Sequence, residues 1–206
     1  MAGTVFFSVT MSLDGFIAPG SLGELMGAQW QELQAWVFPQ RFFRENVGFG
    51  EGGEEGRDND LLRATYERTG ASVMGKRMFD AGEQMWPEDA PFHTPVFVVT
   101  HERREPWERP GGTTFHFVND GIEAALEQAR AAAGERDVRI AGGGETILEH
   151  LNAGLVEEFS IALSPVFFGA GVRLFEGIDA SRIALVQVGS EHSPRVTHLR
   201  YEVRRR

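Results

Sequence analysis

A chain of 206 residues, 42% of them hydrophobic, is long enough to bury one sizeable core and is read as a single domain over residues 1–206. Its 30 acidic and 20 basic residues give a formal net charge of -10, which argues against a nucleic-acid-binding surface. The absence of cysteine excludes disulfides, thiolate metal ligands and cysteine nucleophiles. The N-terminal stretch MAGTVFF has neither a basic segment nor a long apolar one, and no run of about 18 apolar residues occurs, so a soluble cytoplasmic protein is expected and no membrane partner.

Residues 5–9 read as a first strand, followed by the turn sequence TMSLDGFIA. Trp30, Leu33, Trp36, Val37, Phe38, Phe42 and Phe43 then crowd a helix-like segment, and one or two of these aromatics are expected to line a pocket. Residues 48–60, GFGEGGEEGRDND, are rich in glycine and charge and predict a flexible surface loop, either a tolerated insertion or a lid. Val73 and Met74 lie in a second strand that runs into Gly75, Lys76, Arg77 and Met78 at the start of a helix. Residues 96–99 and 114–117 are the third and fourth strands. Ile122, Ala125, Leu126, Ala129 and Ala133 repeat at helical spacing behind Asn119 and Asp120, with Glu123 placed to support the cap and Gly134 to end the helix.

A fifth strand, residues 138–141, enters Gly142, Gly143 and Gly144 and then a helix carrying Ile147, Leu148 and Leu151. Successive residues without Cβ let backbone N–H groups approach an anion, and a helix start adds unpaired amides and the positive end of its dipole. A tight strand-to-helix turn would need the same glycines. The similar turn at Gly75, with two cations beside it, favours the two halves of one dinucleotide site. Residues 159–168 form a long β-rich run interrupted by Pro165, and the alternating stretches 183–188 and 196–203 predict an antiparallel hairpin at a sheet edge. The fold class is therefore α/β with a mixed sheet.

The GxGxxG pattern of ordinary dinucleotide folds does not follow the first strand, and no P-loop occurs. None of the six histidines forms HExxH or another close ligand pair, so no metal is expected. The serines lack the GxSxG context of a hydrolase nucleophile.

TMSLDGFIA, VMGKRMF, VFVVTH and VRIAGGGETILEHLNAGLVEEFSIALSPVFFGAGVRLFEG, in this order, resemble the dihydrofolate-reductase-like family typified by the C-terminal reductase domain of the riboflavin-biosynthesis protein. The resemblance covers nearly the whole chain. It implies a three-layer α/β/α fold with a mixed, mainly parallel sheet, NADPH as hydride donor, and a substrate cleft between the cofactor and the first-strand loop. The implied substrate is a pyrimidine or pterin with a C=N or C=O bond to reduce, as in 5-amino-6-(5-phosphoribosylamino)uracil reductase and dihydrofolate reductase, and the implied assembly is a homodimer. Carried over by position, Gly75, Lys76, Arg77 and Met78 would meet cofactor phosphate, Thr100 and His101 the adenosine end, and Gly142, Gly143, Gly144, Glu145 and Thr146 the pyrophosphate. Asp14, Phe16 and Trp36 would face substrate, Asp14 with its pKa raised to help supply a proton. Its place in Leu13-Asp14-Gly15 equally suits a turn-forming role. Two other readings stand beside a reductase: a non-catalytic NADP-binding regulatory module, and a dimeric scaffold whose glycine turns are structural. The dimer face is expected on residues 159–168 and the terminal hairpin, which offer more apolar β surface than an edge leaves open to water.

Overall fold

The structure, a computed structural model, describes residues 3–24 and 27–206. Met1 and Ala2, part of the stretch read for a signal segment, lie outside the described residues. The chain runs β1 (Val5–Ser12), β2 (Phe16–Ala18), α1 (Ala28–Leu33), α2 (Arg41–Asn46), α3 (Arg57–Arg68), β3 (Thr69–Gly75), α4 (Lys76–Glu83), β4 (Pro95–Val99), β5 (Trp107–Glu108), β6 (Thr114–Val118), α5 (Gly121–Ala133), β7 (Asp137–Gly142), α6 (Gly144–Asn152), β8 (Glu158–Ser164), β9 (Val172–Arg173), β10 (Ile183–His192) and β11 (Thr197–Arg205). Nine strands form one sheet in the order β10-β11-β8-β1-β7-β3-β4-β6-β5, and β2 pairs with β9 in a small second sheet. The central strands pair in parallel, while β11 joins β8, β10 joins β11 and β5 joins β6 antiparallel.

The period-two alternation of β1 divides the layers. Val5 and Phe7 join Val73, Val138 and Ile140 against Ala125, Leu126, Ala129, Ile147 and Leu151, so α5 and α6 cover one face. On the opposite face Met74, Val98, Phe115 and Ala141 surround Phe79 of α4, and Arg68 of α3 lies over the Phe6 ring. This is the three-layer mixed fold expected from the sequence. Among the described residues no helix is long and apolar enough to cross a membrane.

Several local expectations change. The aromatic segment is two short helices, since the chain bends at residues 34–40 before α2 begins. Only the first part of the 48–60 region is loop, because Arg57 opens α3 and Asp58 and Asn59 are buried in its first turn. That loop is tied down as well: Glu54 exchanges backbone bonds with Pro39 and Arg41 and receives the Arg195 guanidinium at 2.7 and 2.8 Å. Asp120 precedes α5 without a side-chain cap bond, so the predicted cap is not formed. The expected dimer face also needs revision. β8 lies between β1 and β11 with Phe159, Ile161 and Ala162 buried, so what stays open of that face is Phe167, 75% exposed, and the hairpin strand β10 at one edge of the sheet, with Leu185 and Val188 about half exposed.

Candidate functional site

The C-terminal ends of parallel strands are where an open α/β sheet presents its helix starts, and here β3 and β7 lie side by side with Met74 opposite Gly142. The two glycine turns consequently meet. A Cβ on Gly75 would lie 2.2 Å from Thr146 Oγ1 and 3.8 Å from the Gly143 nitrogen, so only glycine lets the first turn pack on the second. A Cβ on Gly142, whose φ is +136°, would lie 2.9 Å from Met78 Sδ, which packs α4 against the end of β7. Gly144 is equally confined by Val172 and Ile17, which bring the small β2–β9 sheet onto the turn. Gly143 differs, because a Cβ there would meet nothing within 4 Å. No side chain caps the start of α4 or of α6, which leaves their first amides available to an anion.

The side chains around these turns are less uniform than the sequence suggests. Lys76 is held by Asp80 and, at 3.2 Å, by Glu102, and these carboxylates raise its pKa. Arg77 donates to the Gly20 carbonyl and remains exposed. Thr100 is buried and structural in its bonds: its amide donates to the Val118 carbonyl and its hydroxyl accepts from the Glu102 amide at 3.0 Å. Asn119, read in the sequence only as preceding α5, clamps the same turn by donating to the Thr100 and Glu102 carbonyls. His101 is exposed beside it, and Glu145 points outward. Arg104 pairs with Glu83 and lies over Phe79, Trp107 and Phe117, so it braces α4.

Asp14 departs from expectation. Partial burial would raise its pKa, but the Ser12 hydroxyl and the Phe168 and Gly169 amides, all donating to the carboxylate, outweigh that and lower it to about 2. An ionised group so held anchors the loop, and its lowered pKa runs against the raised one expected of a proton donor. Because the folded pKa lies below the unfolded one, Asp14 contributes stability above pH 3.8 and loses that contribution as pH falls toward about 2. Asp14→Asn should therefore lower the melting temperature near neutral pH, and the gap to the wild type should close in acid. A constant gap across a thermal-melt series would contradict the anchoring role.

Phe16 is likewise a packing residue, buried with Leu33 and Phe168 and covered by Arg173. Trp36 does line a cavity, of about 200 Å3, between α3 and the face of β1, β8 and β11. Its indole N–H donates to Thr10 Oγ1 at 3.0 Å, and that hydroxyl donates to Gln34. His198 of the cavity wall is held from behind by a partner that the sequence did not disclose, its Nε2 lying 2.7 Å from Oδ1 of the buried Asp58. The alternation in β11 could have marked His198 as inward-facing, but nothing in the acidic run around Asp58 identifies its partner.

Comparison with known proteins bears on the fold and the family. A model of the RibD C-terminal domain matches residues 3–199. The uncharacterised protein YyaP of Bacillus subtilis (strain 168) is 28% identical over 109 residues, a match spanning 50% of this chain and 57% of that relative. Among solved structures, a putative riboflavin biosynthesis protein from Shewanella sp. PV-4 is similar over 100% of both chains, with 24% identity and a TM-score of 0.67. Dihydrofolate reductase from Enterococcus faecalis, solved with NADP(H) and RAB-propyl, is similar over 98% of each chain, with 15% identity and a TM-score of 0.57. A pyrimidine reductase-like protein from Corynebacterium diphtheriae gives 13% identity and a TM-score of 0.59 over 99% of this chain and 93% of its own. The fold is dihydrofolate-reductase-like, and the chain belongs to the RibD C-terminal domain family.

Proposed function

We propose that this protein is a cytoplasmic NADPH-dependent reductase acting on a C=N or C=O bond of a pyrimidine- or pterin-type heterocycle. The observation that carries the reading is the meeting of the two glycine turns, with Gly75 against Thr146 and open space over Gly143. Membership of a reductase-type family and a fold similar to a dihydrofolate reductase solved with NADP(H) support it.

The residues fit a dinucleotide. The uncapped amides at the start of α6 and the Thr146 hydroxyl would receive the pyrophosphate, and those at the start of α4 a second phosphate. Arg77 and His101, exposed at the ends of β3 and β4, would meet the 2′-phosphate. Lys76, already occupied by Asp80 and Glu102, would contribute chiefly through its long-range field. NADPH when bound supplies a hydride from its nicotinamide ring. The chain supplies position: the Asp14 anchor fixes the β1–β2 turn, Ile17 and Val172 fix the glycine turn beneath it, and Trp36 bounds the cavity where the heterocycle would enter. A second copy of the chain would pair along β10, the longer of the two edge strands of the sheet.

A charge-assisted bond to the 2′-phosphate is available only from NADPH. Arg77→Ala, alone or with Lys76→Ala, should therefore weaken NADPH at least about tenfold more than NADH, or about 1.4 kcal/mol. Equal losses in calorimetry would count against the assignment. Turnover is tested by following NADPH absorbance with a panel of pterins and pyrimidines. Tight NADPH binding without oxidation by any of them would favour a regulatory module instead.

A further inference from the structure

The β1–β8–β11 register builds the floor of the Trp36 cavity in two rows. Thr10, Ala162 and His198 stand opposite one another, and Ser8, Ser160 and Arg200 form the next row. Leu61 and Leu62 of α3, with Trp36, make an apolar roof over them. The cavity is thus dry above and rich in donors below.

Four of the polar groups on that floor have capacity to spare. The His198 ring is fixed through Nε2 by Asp58, both residues being less than a tenth exposed, and among the described residues Nδ1 has no hydrogen-bond partner. The hydroxyls of Ser8 and Ser160 have none either. Among the described residues Arg200 pairs with Glu191 alone, at 3.6 Å, its half-exposed guanidinium lying where a Cβ on Gly189 of β10 would be, and that carboxylate is already held by Arg57. The acid within the cavity wall, Glu158, is neutralised by Arg68. The half-buried serine hydroxyls, the free edge of the imidazole and the exposed Arg200 head thus line the cavity with hydrogen bonds still to offer a ligand or water.

We propose that this cavity binds a small carboxylate, its body beneath Trp36, Leu61 and Leu62 and its anionic group received by His198 Nδ1, Ser160 and Arg200. With Nε2 committed to Asp58, Nδ1 is the ring nitrogen left to meet the ligand. Asp58 acts as the positioning residue and His198 as the group in contact. At about 30 Å3 per water the space holds about seven waters, which limits the enclosed part of the ligand to on the order of ten non-hydrogen atoms. On the reductase reading above, which this inference deepens, an acidic group of the substrate would be held here.

Benzoate and its neutral isostere benzamide, titrated without NADPH into the full chain, test the proposal directly. Benzoate should shift the His198 ring-nitrogen resonances in NMR at millimolar concentration, with benzamide at least about tenfold weaker. Ser160→Leu, which fills the cavity, should abolish the shift at an unchanged melting temperature, and Arg200→Gln should remove the preference for benzoate. No His198 shift, equal binding of the two probes, or wild-type binding by folded Ser160→Leu would each overturn it. NADPH affinity is measured separately on the same proteins. Its loss alone would contradict the reductase reading and leave the carboxylate site standing.

Discussion

Gly143→Val is expected to weaken NADPH and NADH alike by at least about a hundredfold, or about 2.8 kcal/mol, while the protein melts where the wild type does. The two halves of that expectation have separate causes. Gly143 has φ -67° and a Cβ there would meet no atom within 4 Å, so a side chain can start there without a left-handed backbone or a clash at its first atom. The open space it enters is the approach to the first amides of α6, and a branched side chain there would keep a pyrophosphate beyond hydrogen-bond distance. Neighbouring glycines make informative controls. Valine at Gly75 or Gly144 would meet Thr146 or Val172 at 2.2 or 2.7 Å, and should destabilise the fold as well as the site. A folded Gly143→Val protein that binds NADPH normally in calorimetry would locate the pyrophosphate elsewhere.

Phe79→Ala should produce the largest loss of stability, about 3–5 kcal/mol. Phe79 is fully buried on α4, with Phe115 and Phe117 at 5.2 and 5.1 Å and Trp86 and Trp107 at 6.1 and 6.2 Å between ring centroids. Deleting the ring removes its burial and leaves a void among large, rigid side chains that cannot collapse into it. Against a total of about 5–15 kcal/mol for a domain, such a loss brings the chain near the edge of folding. The variant should also bind NADPH more weakly, because Phe79 seats the helix whose first turn carries Lys76 and Arg77. Denaturant unfolding reads the loss as a lower midpoint at unchanged slope. A change below about 1 kcal/mol would mean that α4 is not held by this cluster.

What could be read in the sequence divides along physical lines. The turn after β7 was legible because three glycines between an apolar strand and an amphipathic helix constrain the backbone locally, and α5 was legible from its apolar period. α3 was concealed by its own composition. Arg57, Asp58, Asp60, Arg63, Glu67 and Arg68 dominate its sequence, and its buried contacts are made largely by Asp58 and Asn59 through partners that lie far along the chain or outside any pattern. The interior place of β8 was misjudged for a related reason: apolar residues on both faces mark a strand as buried without saying whether a β-strand or a second subunit flanks it. Asp14 was identified as a site residue, but its character is set by the Phe168 and Gly169 amides, more than 150 residues away. The His198–Asp58 pair joins positions 140 apart, and no local signal links them. Glycine turns and helical periods are properties of neighbours, whereas the ionisation and partners of a side chain belong to the tertiary fold.

A crystal structure of the protein with NADPH tests the central claim, that the turns at Gly75 and Gly142–Gly144 form one dinucleotide site, most directly. The account predicts the pyrophosphate within hydrogen-bond distance of the amides that open α6, beside the Gly143 Cα, with the 2′-phosphate near Arg77 and His101. A dinucleotide bound away from both turns, or contacting the α6 turn with its adenosine pointing away from the ends of β3 and β4, would contradict it.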